Sequence, residues 1–232
     1  MMNYKPILIL LLGCVVLTAG LAYWAAGPKV EELALDPAAG EINSPLSAKE
    51  LDVYEADITN TMNPIVALET TMGVIKIELF KDTMPITAAN FEKLVNEGFY
   101  DGIKFHRVIE GFMIQGGDPI TKTEEVMRYG TGGPGYAIAD EHIVGELLTN
   151  TRGTISMANS GPNSGGSQFF INLADNTSLD FNKEPLSSRH PVFGRVVEGM
   201  EVVDAIGVAE TNDRDLPVEP IVITKATIEA GA

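Results

Sequence analysis

From Val66 to Ile228 the apolar residues come in short runs, and glycine, proline, asparagine or aspartate cuts each run off. Runs of that length suit strands, in which side chains repeat every second residue. Val66 to Leu68 and Val74 to Phe80 flank Thr-Thr-Met-Gly, and in the second run Ile75, Ile77 and Leu79 alternate with Lys76 and Glu78. Period two with one wet face predicts an opening hairpin turned at Gly73. Further strand-length pieces follow at Phe105 to Val108, Phe112 to Gly116, Gly153 to Met157, Gln168 to Ile171, Val192 to Val197 and Ile221 to Ile228. Two stretches break the pattern. Pro85 near a start, Gly98 past an end, and Ala88, Phe91, Leu94 and Val95 at helical spacing predict one amphipathic helix. Val197 to Ile206, with Met200, Val203 and Ile206 three apart before Gly207, predicts a second. A mainly β chain of many short strands and two helices points to a closed antiparallel barrel capped at its ends, because closure removes the edges that short strands would expose. The 232 residues give one such core plus appendages, and 23 Gly with 13 Pro argue against a helix bundle.

The appendages lie at the N-terminus. From Pro6 to Pro28 no residue is charged, and the run Ile-Leu-Ile-Leu-Leu-Leu from Ile7 continues to Trp24 and Ala26. At about 1.5 Å per residue this covers a hydrocarbon layer of roughly 30 Å, so residues 1–28 are expected to form a transmembrane helix serving as a signal anchor. Lys5 before it, and Tyr23 with Trp24 at its far end, orient the N-terminus inward and the bulk of the chain outward. Two alternatives also export the chain: a cleaved secretory signal, giving a secreted or periplasmic protein, and a lipoprotein box at Leu11, Leu12, Gly13 and Cys14 of the kind bacteria use to lipidate the thiol. Cys14 is the single cysteine, so no internal disulfide forms. Over residues 29–63, Glu31, Glu32, Asp36, Glu41, Glu50, Asp52, Glu55 and Asp57 stand against Lys29 and Lys49, with little periodic apolar content. That composition predicts a disordered acidic linker. Residues 64–232 are then the folded domain. A formal charge of -16 argues against general nucleic-acid or anionic-lipid affinity through that domain.

The chemistry-bearing residues gather in two stretches, Phe-His-Arg-Val-Ile-Glu-Gly-Phe-Met-Ile-Gln-Gly-Gly-Asp at 105–118 and Ser-Met-Ala-Asn-Ser-Gly-Pro-Asn-Ser-Gly-Gly-Ser-Gln-Phe-Phe-Ile at 156–171. Alternation places Phe105 with Arg107, Met113 with Gln115, and Gln168 with Phe170 on shared faces, while Phe169 and Ile171 take the opposite one. If those faces converge they line a groove with a permanent cation, two amides and apolar walls, which suits a peptide. Phe112 alternates away from Met113 and Gln115, which by itself predicts core packing. No Ser or Cys has a recognisable base beside it and the three histidines show no ligand spacing, so neither a hydrolase nor a metal site is expected. The glycine-rich Ser-Gly-Pro-Asn-Ser-Gly-Gly lacks the Gly-Lys-Ser/Thr ending of a phosphate loop.

These two motifs, with Gly-Thr-Gly-Gly-Pro-Gly from Gly130 and His-Pro-Val-Phe-Gly-Arg-Val-Val-Glu-Gly-Met-Glu-Val-Val-Asp-Ala-Ile from His190, resemble the cyclophilin-type peptidyl-prolyl cis-trans isomerases over roughly residues 64–229, and the N-terminus reads as that of a bacterial, membrane-anchored or exported member. The resemblance implies an eight-stranded barrel with a helix at each end and a groove for a peptide containing an X-Pro bond. It implies catalytic roles for Arg107, Phe112 and Gln115. It places Met113, Phe170 and Leu179 around the proline ring beside Phe112, with His190 at the rim. Ala158, Asn159 and Gln168 would meet the flanking peptide, and Gly130, Thr131 and Gly132 an adjacent pocket. No cofactor or metal is implied. Two departures limit the likeness. Ser178 stands where many eukaryotic members carry a tryptophan, which makes cyclosporin binding doubtful, and the stretch Asp180 to His190 is longer than the usual connection. His106 and His142 are expected to be structural or solvated, with no chemical role.

The function this implies is rotation of X-Pro bonds in exported proteins as a folding catalyst. The alternative is a membrane-tethered chaperone or scaffold that binds proline peptides with incidental turnover. In either case the partners are proline-containing or unfolded segments and the membrane.

Overall fold

The computed structural model describes residues 63–141, 148–180 and 189–229. The expected anchor, Cys14 and the acidic linker up to its last residue, Asn63, lie outside these residues, as do most of the 180–190 stretch and His142. Among the described residues no helix is long and apolar enough to cross a membrane.

Eight strands form one antiparallel sheet. In chain order they are β1 (Ile65–Thr70), β2 (Gly73–Leu79), β3 (Arg107–Ile109), β4 (Met113–Gly116), β5 (Thr154–Met157), β6 (Phe169–Asn172), β7 (Val192–Glu198) and β8 (Ile223–Glu229), and across the sheet they run β3-β4-β6-β5-β7-β2-β1-β8. The opening hairpin holds in register from Ile65 opposite Glu78 to Thr70 opposite Gly73. On the inner face Val108, Ile114, Ile171 and Ile155 form one cross-strand row, all buried. Apolar residues directly opposite one another pack closely, so this row fixes the register of four short strands that have few ladder bonds.

The sheet is an open half-barrel, not the closed barrel expected. Its end strands β3 and β8 share no ladder. The chain leading into each meets the other at the isolated bridge Lys104–Val222, with Phe105 N–H donating to Ile221 O at 2.9 Å, Ile223 N–H to Ile103 O at 2.8 Å and Gly102 N–H to Ile223 O at 2.7 Å. Further along the edge, the N–H of Val108 goes instead to the carbonyl of Asp215 at 2.8 Å. The turn thus takes the donor that a ladder at this edge of the three-residue strand would use.

Two helices cover the core. α1 (Pro85–Asn96) begins with proline in its first turn and buries Ala88, Phe91, Leu94 and Val95 as the spacing predicts. It stops at Gly98, whose φ of +66° few other residues tolerate. Gly98 N–H then returns to Val95 O and Phe99 N–H to Leu94 O, both at 2.9 Å, satisfying the last carbonyls. Phe91 packs against Tyr100, Phe169 and Phe193 with ring centres 4.8 to 5.4 Å apart. α2 (Met200–Gly207) buries Val203 and Ile206. It starts later than the expected Val197, because β7 continues to Glu198 and the left-handed Gly199 separates strand from helix. α1 lies against β7 and β8, α2 against β2, β3 and β4.

Candidate active site

The outer face of the sheet carries a second cross-strand row. Arg107 is opposite Gln115, Gln115 opposite Phe170, and Phe170 opposite Ser156. Met113, opposite Asn172, is the diagonal neighbour of Phe170 on the same face. Alternation thus brings Arg107, Met113, Gln115 and Phe170 together as the sequence implied. Phe105 does not join them. It is 1% exposed and packs edge-on against Phe169 at 6.3 Å in the core, because β3 begins only at Arg107 and period two does not apply to the irregular backbone before it.

Each member has an identifiable support. Arg107 is half exposed, with its Nε 3.6 Å from the Asp215 carboxylate. Gln115 donates to Gln168 Oε1 at 3.0 Å, and Gln168 donates to the carbonyls of Gly130 and Gly132 at 3.0 and 2.8 Å. The two glutamines therefore bind each other and fix the Gly130–Gly132 loop, and Thr131 stands exposed at its tip. Phe112 precedes β4 in a turn, so strand alternation does not send it to the core, and it is half buried. Met113 and Phe170 are nearly closed off at 2% and 5% exposure. Leu179, in a short 3-10 turn, accepts the backbone N–H of His190 at 3.0 Å, which joins those two walls. The His190 ring stands edge-on to Phe170, with centres 5.2 Å apart. Its Nδ1 lies 3.1 Å from the Met157 carbonyl, which can only accept, so Nδ1 carries the proton. Burial pushes the His190 pKa down, opposed in part by that carbonyl. Ala158 pairs its N–H with Gln168 O at 2.9 Å, and Asn159 donates to Arg189 O at 2.7 Å.

A cleft of about 270 Å³ opens beside Arg107, lined by His106, Gln115, Tyr129, Gly130, Arg214 and Leu216 among others. His106 is buried and neither ring nitrogen has a hydrogen-bond partner among the described residues. Burial holds its pKa low, while the nearby Asp118 charge acts the other way.

Two supports were not apparent in the sequence. The first is Asp118, fully buried, which accepts from Ile120 N–H at 2.8 Å and Gly130 N–H at 2.5 Å. Its Oδ1 sits where a side chain on Gly132 would begin, 2.1 Å from that point, so the loop closes only around glycine. The second is a chain of amides behind the apolar socket. Asn150 accepts from Ser156 and donates to Asp180 and to His190 O; Asn172 donates to Thr154; Asn176 donates to Asn172 and to Phe112 O. The carbonyls of Phe112 and His190 are thus anchored to one buried network. The only sequence signal was polar Asn172 ending an apolar run, and it names no partner.

The model of the family described as "Cyclophilin type peptidyl-prolyl cis-trans isomerase/CLD" matches residues 65–228. The chain is 42% identical over 167 residues to the Mus musculus "Peptidyl-prolyl cis-trans isomerase-like 1", spanning 70% of this chain and 91% of that relative. A Schizosaccharomyces pombe peptidyl-prolyl cis-trans isomerase is 44% identical over 165 residues, spanning 69% and 96%. The crystal structure of a Cryptosporidium parvum cyclophilin type peptidyl-prolyl cis-trans isomerase superposes with a TM-score of 0.62 at 32% identity, covering 72% of this chain and 98% of that one. The same protein crystallised in the presence of the dipeptide Ala-Pro gives 0.61.

Proposed function

The chain belongs to the cyclophilin-type peptidyl-prolyl cis-trans isomerases, and from that premise we propose that its outer-face row is the active site, with Arg107 as the catalytic donor. An X-Pro bond turns slowly because partial double-bond character raises a barrier of about 18–20 kcal/mol. In the twisted state the prolyl nitrogen becomes pyramidal and regains a lone pair. A guanidinium N–H aimed at that nitrogen favours the twisted state over the planar amide, which is differential binding of the transition state. One charge-assisted hydrogen bond of roughly 1.5–3 kcal/mol accounts for one or two decades of rate. Immobilising and desolvating the ring supplies the remainder.

Phe112, Met113, Phe170 and Leu179 form the socket for the ring, with His190 at its rim. Gln115, Gln168, Ala158 and Asn159 meet the flanking backbone, and Gly130, Thr131 and Gly132 border the neighbouring pocket. The observation that carries this reading is the row Arg107–Gln115–Phe170 with Met113 diagonal to it. It sets a cation beside an apolar socket on one rigid face. The related structure obtained with Ala-Pro supports an X-Pro ligand. No cofactor enters the reaction. With Ser178 in place of a tryptophan, cyclosporin is expected to bind weakly. Arg107→Ala should lower kcat/KM on an Ala-Pro test peptide at least about ten-fold with an unchanged circular dichroism spectrum; wild-type-like turnover would remove Arg107 from the role.

The setting rests on the sequence alone. Residues 1–28 anchor the chain in the membrane in a single pass, residues 29–63 tether it, and the domain 64–232 acts outside the cytoplasm on exported clients. The bacterial assignment has the same basis, since the relatives named above are eukaryotic. Mass measurement of the mature N-terminus separates a retained anchor from a cleaved signal or a lipidated Cys14.

A further inference from the structure

Arg107 presents a mechanical problem. A half-exposed arginine has several freely rotating bonds, yet the reaction needs its N–H groups held at one point. Gln115, its cross-strand neighbour, gives its amide N–H to Gln168. The contact that the structure does give Arg107 comes from outside the sheet, at Nε, from the Oδ2 of Asp215.

Asp215 is held in an unusual way. Its φ is +60°, a left-handed conformation shared by only one other non-glycine residue among those described. A tight turn imposes it. Asp215 N–H donates to Asn212 O at 3.0 Å, Asn212 N–H to Leu216 O at 2.9 Å, and the Asn212 side chain accepts from Arg214 N–H at 2.9 Å. The bridge Thr211–Pro217 closes the turn, and Asp215 O takes the N–H of Val108, next to Arg107 in β3. The same residue thus clamps the strand through its carbonyl and faces the guanidinium through its carboxylate. Arg214, the adjacent cation, lies with Nη1 3.1 Å from Met127 Sδ. It is engaged away from the Asp215 carboxylate.

We propose that Asp215 is a positioning residue for the isomerase reaction: its carboxylate holds the Nε edge of Arg107 and leaves the two Nη groups directed at the prolyl nitrogen. This rests on the catalytic assignment of Arg107 above. The substrate imide carries no net charge, so reaction depends more on where the donor points than on the net charge around it. A carboxylate that orients the donor therefore helps, even though it offsets part of the positive field.

Asp215→Asn isolates the charge, because asparagine accepts the left-handed conformation that alanine resists. Asp215→Gly keeps the backbone and deletes the side chain. On a neutral Ala-Pro peptide both variants should lose about three-fold in kcat with KM little changed, the scale expected for an exposed ion pair. Raising salt from 0.01 M to 1 M shortens the screening length from about 30 Å to about 3 Å. Wild-type kcat should fall toward that of Asp215→Asn, and the variant should barely respond. The Arg107 Nε–H signal in nitrogen-15 relaxation should show wider motion in both variants. In an Arg107→Ala background, Asp215→Asn should change nothing further. Unchanged or increased kcat in both variants would overturn the proposal, as would an equal loss in the Arg107→Ala background. If Arg107→Ala alone retains wild-type turnover, the catalytic assignment fails first, and that result is read separately.

Discussion

His106 is buried and His190 partly buried, and burial depresses the pKa of both imidazoles in the folded protein. As pH falls, the unfolded chain takes up these protons first. The stability they contribute is intact above the ordinary histidine value of about 6.5 and is lost as pH drops below it toward the folded-state values. Urea unfolding should therefore show stability declining from pH 7 to pH 5, with a shallower decline in His190→Gln. Turnover per folded molecule should stay flat from about pH 6.5 to 9, since arginine does not titrate there. A bell-shaped profile would assign proton transfer to the reaction instead. At this scale alternation made Met113, Gln115, Phe170 and the inward Phe169 and Ile171 legible, because each lies in or beside a regular strand. It misplaced Phe105, where the backbone is irregular. Asp118, Asn150 and Asp215 were illegible because their roles depend on partners that the fold, and no local pattern, brings to them. A carboxylate after two glycines does not announce the loop it will hold.

The helices show the same division between local and distant causes. Pro85 and Gly98 bracket α1, and the sequence states both ends. Yet Met84 at its N-cap offers no side-chain acceptor. Glu141 fills that role, accepting from Ile86 N–H at 2.9 Å and Thr87 N–H at 2.6 Å across more than fifty residues. A carboxylate there satisfies two unpaired donors and sits at the positive end of the helix dipole. Glu141→Ala should lower unfolding stability by about 1–2 kcal/mol, with Glu141→Gln recovering part of the loss. Equal stability of wild type and Glu141→Ala in denaturant titrations would refute the capping role. The start of α2 was legible only to within a few residues, because Val197 satisfies strand and helix patterns alike and the left-handed turn at Gly199 decides between them.

Across the whole folded region, the mainly β character, the two helices and the antiparallel pairing were readable from run length and punctuation. Closure was not, since whether two end strands meet depends on what else claims their edge groups, and the claimant here is a turn around Asp215. Residues 63–232 produced alone should unfold in one transition and retain kcat/KM within about two-fold of the full chain. A ten-fold loss would show that the N-terminal segment contributes to the domain. The sheet order also has a consequence for biosynthesis. β1 lies between β2 and β8, and Glu69 bonds with Thr224 across 155 positions. Nearly the entire domain must leave the ribosome before the first strand acquires its second neighbour, and contacts that distant form slowly. During translation the nascent hairpin therefore waits with one edge bare, a window in which a holding chaperone would have something to grip.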